Sequence, residues 1–237
     1  MTAVVRKAKA LAPSGTRDVV RNAVRAYGQA TSRWRPAPDF LIIGAKRGGT
    51  TTLFRALQDH PQVLPMFPST QDLKSSHYYD LELDRSPAWF RSHFPTTRAR
   101  AANPAQPAIT GEGSPYYLFH PTAPARIRRD LPDVKLIVGL RDPVGRAFSH
   151  HWDRVKNGVE HLSFREAVDT EDERLAGERE KLLADPTYVS HAYEHFSYVR
   201  RGYYAEQLET WFDLFPREQV LVLRAEDLYR EPQATYD

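Results

Sequence analysis

The stretch FLIIGAKRGGTTTLFRALQDHP, residues 40–61, decides how this chain is read. Phe40-Leu41-Ile42-Ile43 is a short apolar run, the pattern of a strand buried on both faces. Gly44 to Gly49 follows as a loop, and Leu53, Phe54 and Leu57 then recur at helical spacing over Thr50–Gln58. His60 precedes Pro61, and a residue before proline is pushed out of the α region, so the helix ends there. Strand, glycine-bearing loop and helix in succession make an anion site by elementary means. Gly48 and Gly49 let the backbone approach a ligand closely. Free N–H groups at the helix start point at it, and the helix dipole favours negative charge there. Thr50, Thr51 and Thr52 add hydroxyl donors, and Lys46 and Arg47 add positive charge.

Outward from this unit, strands and helices alternate. Residues 61–106 read as loop-heavy, with one short helix near Ser86–Phe94. Ile109 lies in a short apolar stretch before Gly111-Glu112-Gly113. A helix over Pro124–Leu131 stops before Pro132, and Val134–Leu140 is a second clear strand. Asp142-Pro143 supplies a helix cap followed by proline at the first helical position, opening a helix to Lys156. Phe164–Leu183 reads as mostly helical. A long helix over Val199–Phe215 carries Tyr204, Leu208, Trp211, Phe212 and Phe215 on one face, and Val220–Leu223 is another buried strand. Strands that are apolar throughout, joined by helices, predict an α/β fold with a three-layer architecture: a parallel sheet with helices on both faces. Ligands in such sheets bind at the carboxyl ends of the strands. Gly44–Thr52 and Arg141–Ser149 both fall there.

The chain has 237 residues, of which 41% are hydrophobic and 27% charged. These are ordinary values for a globular domain and exclude collagen-like, coiled-coil or wholly disordered chains. The absence of Cys excludes a disulfide scaffold, a cysteine nucleophile and a thiolate zinc site. No apolar run approaches the ~20 residues of a membrane helix. The net charge of +3 is unevenly placed: residues 1–39 hold eight Lys and Arg against Asp18 and Asp39, and the rest of the chain is slightly acidic. Residues 1–38 therefore read as a basic arm, with an amphipathic helix over Asp18–Tyr27, and residues 39–237 as one domain. Val20, Ala23, Val24 and Tyr27 share one face of that helix, while Arg17, Arg21 and Arg25 repeat on another. Such an arm either packs as a solvated helix or makes peripheral contact with an anionic membrane or another polyanion. The arm has no secretory signal pattern, so the expected location is cytoplasmic or membrane-peripheral. No nucleic-acid partner is expected.

The loop differs from an ATP or GTP site. Gly44 and Gly49 have the spacing of the Walker pattern, but Thr50 stands where that pattern has Lys. No apolar strand ends in a lone Asp suited to holding Mg²⁺, so no metal is expected. At the second motif, Arg141 emerges at the end of a strand where its guanidinium can grip a phosphate bidentately. Ser149 lies about two turns into the next helix and can donate one hydrogen bond. Arg146 can serve either a binding or a structural role.

Residues 40–61 resemble the 5′-phosphosulfate loop of sulfotransferases that use 3′-phosphoadenosine 5′-phosphosulfate (PAPS), closest to the carbohydrate and bacterial branches. LIVGLRDPVGRAFSHHW, residues 136–152, resembles the same family's 3′-phosphate motif, with its Arg and Ser at Arg141 and Ser149. Arg201-Gly202-Tyr203-Tyr204 and the segment EQVLVLRAEDL resemble later family segments, so the resemblance covers roughly residues 39–230. It implies a P-loop-like sulfotransferase fold and PAPS as co-substrate. It also implies transfer of a sulfuryl group to a hydroxyl or amine of a carbohydrate, glycolipid or small molecule. The donor-binding residues implied are Lys46, Arg47, Gly48, Gly49, Thr50, Thr51, Thr52, Arg141, Ser149 and Tyr204.

The same resemblance places a cation near the bridging oxygen of the donor. The family's Lys position holds Arg47 here, and the Lys is one residue earlier, at Lys46; both are catalytic candidates. A general base must also take the acceptor's proton. The carbohydrate branch often has a Glu after a Lys, but Lys74 is followed by Ser75. His77 is the nearest replacement, with the right ordinary pKa, and Glu112 is the second candidate. His120, His150 and His151 read as packing groups. Of the aromatic residues Tyr78, Tyr79, Tyr116, Tyr117, Phe119, Tyr198, Tyr203 and Tyr204, most are expected in the core. Two other classes compete: a P-loop kinase, disfavoured by Thr50, and a non-catalytic polyanion- or membrane-binding module using the basic arm. Related enzymes usually continue beyond the E-D-L segment, so a chain stopping at Asp237 is expected to be C-terminally incomplete.

Overall fold

The structure, a computed structural model, describes residues 14–102 and 107–230. Arg6, Lys7 and Lys9 of the basic arm, and the chain end at Asp237, lie outside them. The elements that position the site are, in chain order, α1 (Ser14–Ala30), β1 (Phe40–Gly44), α2 (Thr50–Asp59), β2 (Val63–Leu64), β3 (Ile109–Glu112), α3 (Ala123–Asp130), β4 (Lys135–Leu140), α4 (Pro143–Lys156), α5 (Tyr204–Leu214) and β5 (Val220–Arg224). The strands form one parallel sheet in the order β2-β3-β1-β4-β5. Phe40 of β1 stands between Gly111 of β3 and Lys135 of β4, and Leu136 pairs Val220 on the far side. The first strand is therefore central. That is why every residue of β1 is buried and why its sequence is apolar without alternation.

The core gathers Leu41, Ile42 and Ile43 with Leu136, Val138, Phe54 and the helix residues Trp211 and Phe215. Trp211 is fully buried, and its indole N–H is satisfied by the Leu118 carbonyl at 3.2 Å. Asp142 caps α4 as its sequence requires: its side chain accepts the Gly145 N–H at 2.6 Å, with Pro143 at the first position.

Several elements depart from the sequence reading. The helical stretch expected over Phe164–Leu183 is three short helices, Phe164–Asp169, Glu171–Leu175 and Glu178–Ala184. The breaks follow from Glu171, whose carboxylate is taken out of any helix-surface role to accept the N–H groups of Tyr198, Val199 and Arg200, and from Gly177 in the left-handed region at φ 73°. The long helix starts at Tyr204 rather than Val199, because Arg200–Gly202 is a separate 3₁₀ turn. Gly202 lies against Pro143 so closely that a Cβ would stand 3.0 Å from the proline's own Cβ. The two-residue edge strand β2 falls inside the region read as loop. A further short helix, Thr97–Arg100, lies in that region too.

Helix α1 is longer than expected. Ala23 is exposed, and Tyr27 is 57% exposed. Contact with the domain comes instead at the last turn, where Gly28 lies against Ser92 and Phe67. The absence of a side chain at Gly28 lets the helix backbone approach, and Tyr27 beside it packs its ring 6.0 Å from that of Phe67. Among the described residues no helix is long and apolar enough to cross a membrane.

Candidate active site

The loop after β1 is held by its own backbone. Ala45 N–H donates to the Gly139 carbonyl at 2.9 Å, and Gly48 N–H donates to the Ala45 carbonyl at 2.8 Å. Gly48 lies against β4, where a Cβ would stand 2.4 Å from the Gly139 carbonyl oxygen, so only glycine fits. Gly49 caps α2 at φ 80°, a conformation glycine adopts freely. Arg47 also has a positive φ, 70°, which costs a non-glycine residue about 1 kcal/mol. Its side chain holds it there: Nε donates to Ser149 Oγ at 3.1 Å, and Nη1 reaches Asp153 at 3.2 Å. The two predicted phosphate motifs are thus joined directly, loop to helix.

Between them lies a cavity of about 370 Å³, within the ordinary range for small-molecule sites. Lys46, Arg47, Gly49, Thr50, Thr51 and Thr52 line it from the first motif, and Arg141 and Ser149 from the second. Gly48 sits behind it as a packing residue. Tyr204 does not line it; its hydroxyl donates to the Arg141 carbonyl at 2.9 Å, so it touches the backbone of the second motif. Tyr229, from the helix Ala225–Arg230, also borders the cavity and lies over Gly49.

Lys46 is mostly buried. Its Nζ donates to the Glu194 carbonyl at 3.3 Å and stands 3.7 Å from the Glu194 carboxylate. Burial, with the Arg201 charge behind it, pulls its pKa down to about 7 against the pull of Glu194. It can therefore exchange a proton near neutral pH. Lys74 is a cation that the sequence reading passed over. Its Nζ donates to Thr50 Oγ1 at 2.9 Å, inside the same cavity. Burial lowers its pKa to about 8, with the Glu112 charge opposing.

Lys74 is placed by β3. Gly113 N–H donates to its carbonyl at 2.7 Å, and a Cβ on Gly113 would stand 2.9 Å from its Cε. The same segment then turns outward at His77, whose N–H donates to Ser114 Oγ at 3.2 Å. His77 Nδ1 lies 3.0 Å from the Asp80 carboxylate, which is fully buried. Burial disfavours the imidazolium. The Asp80 hydrogen bond and the charges of Asp80, Glu112 and Glu194 outweigh that and hold its pKa above the ordinary histidine value. Asp80 could have been found from its i+3 spacing to His77. Glu112 has both oxygens taken, one by Ser76 N–H at 2.7 Å and one by the Tyr117 hydroxyl at 2.7 Å, and it is fully buried. It braces the segment that carries Lys74 and His77 and has no open face. Tyr79, Tyr116, Tyr117 and Tyr198 are core, as expected, and His120, His150 and His151 are buried.

A parallel α/β sheet with basic side chains converging on one cavity, at the carboxyl ends of its two central strands, defines an anion-binding protein of the nucleotide-site type. The chain belongs to the sulfotransferase family, whose domain model matches residues 37–236. It is 33% identical over 195 residues to heparan sulfate glucosamine 3-O-sulfotransferase 3B1 of Homo sapiens, covering 82% of this chain and 43% of that protein. It is 24% identical to the membrane-associated sulfotransferase kil1 of Dictyostelium discoideum, over 83% of this chain and 54% of that protein. Among solved structures it is similar to a sulfotransferase from Alicyclobacillus acidocaldarius, with a TM-score of 0.64 and 28% identity, covering 84% of this chain and 78% of that one. The chain spans about half the length of the curated relatives it matches or less.

Proposed function

We propose that this chain binds PAPS across the two joined motifs and transfers its sulfuryl group to a hydroxyl of a carbohydrate or small-molecule acceptor. The observation that carries this reading is the cavity itself. Lys46, Lys74, Arg47 and Arg141 converge there with the helix start of α2, and among the described residues Asp153 is the one carboxylate that lines it. Such a donor set fits a phosphate bearing a sulfonate.

The donor, when bound, supplies a sulfuryl group on a phosphate leaving group. Little covalent chemistry then falls to the protein, and positioning and charge stabilisation dominate. Lys46 is the residue to meet negative charge developing on the leaving oxygen. Its lowered pKa suits it to donate a proton there, which Arg47 cannot do. Arg47 bridges Ser149 and Asp153 and serves to hold the two motifs in register. His77 takes the acceptor's proton. Nδ1–H bonded to Asp80 leaves Nε2 as the basic nitrogen. Arg141 and Ser149 grip the 3′-phosphate.

The test is a mass-spectrometric screen of hydroxylated acceptors with labelled PAPS, comparing the wild type with His77→Asn. Transfer of one sulfuryl group by the wild type, lost in the variant while nucleotide binding is kept, supports the reading. Binding of ATP–Mg²⁺ without PAPS binding overturns it.

A further inference from the structure

Arg201 occupies a position with no role in the chemistry so far assigned. It is 2% exposed, with its guanidinium packed 4.4 Å from the Tyr116 ring centre and 4.8 Å from that of Phe119. Its Nη2 donates to the Tyr193 carbonyl at 3.1 Å and to the Glu194 carbonyl at 2.8 Å. The Glu194 carbonyl is the same oxygen that accepts Lys46 Nζ. Nε and Nη1 have no partner, and among the described residues no carboxylate forms an ion pair with Arg201. A full positive charge is therefore buried directly behind Lys46, sharing one acceptor with it. The turn that carries it is anchored to the second motif, through Gly202 against Pro143 and through the Tyr204 hydroxyl on the Arg141 carbonyl.

We propose that Arg201 is a positioning residue of the donor site: it fixes the Glu194 carbonyl that holds Lys46, and its charge behind that carbonyl adds to the effect of Lys46 burial in tuning this residue. This rests on the donor reading given above. A buried cation beside a second cation disfavours the protonated form of the second, and the aromatic pair holds the guanidinium without neutralising it. The other charged groups facing Lys46 are Glu194 and His195 from the helix His191–His195, and His150, Asp153 and Arg154 from α4. Glu194 and Asp153 pull its proton affinity up. Arg154 adds to the effect of Arg201, and Arg201 shares the Glu194 carbonyl with Lys46.

The experiment has two arms on the full chain. In the first, reactivity of Lys46 toward acetic anhydride is followed against pH by mass spectrometry, in the wild type, Arg201→Lys and Arg201→Met. The expected result is a wild-type midpoint near 7, retained in Arg201→Lys and raised by about one unit or more in Arg201→Met. In the second, affinity for 3′-phosphoadenosine 5′-phosphate is measured from pH 6 to about 9. Wild-type affinity is expected to fall as Lys46 loses its proton, and that fall moves to higher pH in Arg201→Met. A general loss of fold would instead weaken binding equally at every pH. Wild-type Lys46 reacting only in the ordinary lysine range overturns the proposal, as does an unmoved midpoint in Arg201→Met. If Arg201→Met fails to fold, Arg201→Gln, uncharged and still able to donate to the Glu194 carbonyl, supplies the same test: a raised midpoint is expected, and an unmoved one overturns the proposal. Failure of the wild type to bind the nucleotide sinks the donor reading alone, because the acetylation arm does not depend on it.

Discussion

Lys74 Nζ donates to Thr50 Oγ1 across 2.9 Å, so a cation from one loop reaches the first residue of the helix that opens the other. Thr50 stands where a nucleotide triphosphate loop would carry its own Lys. Here positive charge returns to that place from 24 residues further on, carried by a segment zipped to the end of β3. Replacing Lys74 by Met is expected to lower kcat/KM about tenfold to a hundredfold. Affinity for PAPS should fall more than affinity for 3′-phosphoadenosine 5′-phosphate, because only the former carries the sulfonate. Titration of both nucleotides against the variant checks this; equal losses would assign Lys74 to the 5′-phosphate alone.

His77 should be required for turnover and not for nucleotide binding. His77→Asn is expected to lower kcat by about 10²-fold or more with little change in nucleotide affinity. Its pKa is held above the ordinary value, so the base form appears as pH rises through that raised value, and kcat should climb there. Asp80→Asn removes the group that raises it, so the climb should move to lower pH. A kcat–pH profile of the two proteins decides it.

Gly48→Ala should disable the donor site without touching a charged group. The new Cβ would meet the Gly139 carbonyl oxygen at 2.4 Å, a backbone atom in β4 that cannot swing away. The loop must therefore move off the sheet, and nucleotide affinity should drop at least about tenfold. Calorimetric titration of the variant against the wild type measures the drop; unchanged affinity would show that the loop tolerates displacement.

Glu160 should set the acid limit of stability. It is buried and accepts both Arg174 Nη groups at 2.7 and 3.1 Å, the Tyr198 hydroxyl at 2.8 Å and the N–H groups of His161 and Leu162. Burial works against the carboxylate, yet these donors bring its pKa down to about 2 from 4.5. A depressed carboxylate stabilises the fold above its unfolded value and loses that contribution as pH falls from about 4.5 to about 2, a difference of order 3 kcal/mol. Glu160→Gln should lower the melting temperature at neutral pH and flatten its fall over that range, as thermal unfolding against pH will show.

Much of the fold was legible because β1, β4 and β5 are apolar without alternation and the helix after β4 carries its own cap at Asp142. The first motif was legible for a related reason: Lys46-Arg47-Gly48-Gly49-Thr50 packs its chemistry into consecutive residues. Lys74, Glu194 and Arg201 were harder, since each acts on a residue distant in sequence or through a backbone carbonyl, which leaves no periodic mark. Glu112 was read as a base candidate from the family resemblance of its segment. Only the structure shows both its oxygens committed to Ser76 and Tyr117. The break of Phe164–Leu183 into three helices was hidden for a similar reason, because Glu171 is diverted to cap a turn some thirty residues away.

The central claim is that the joined motifs form a PAPS site. Calorimetric titration of the wild type and of Arg141→Ala with 3′-phosphoadenosine 5′-phosphate, without Mg²⁺, tests it most directly. Micromolar binding by the wild type, weakened at least about tenfold in Arg141→Ala, is the predicted result. No binding by the wild type, or binding that Arg141→Ala leaves unchanged, would contradict it.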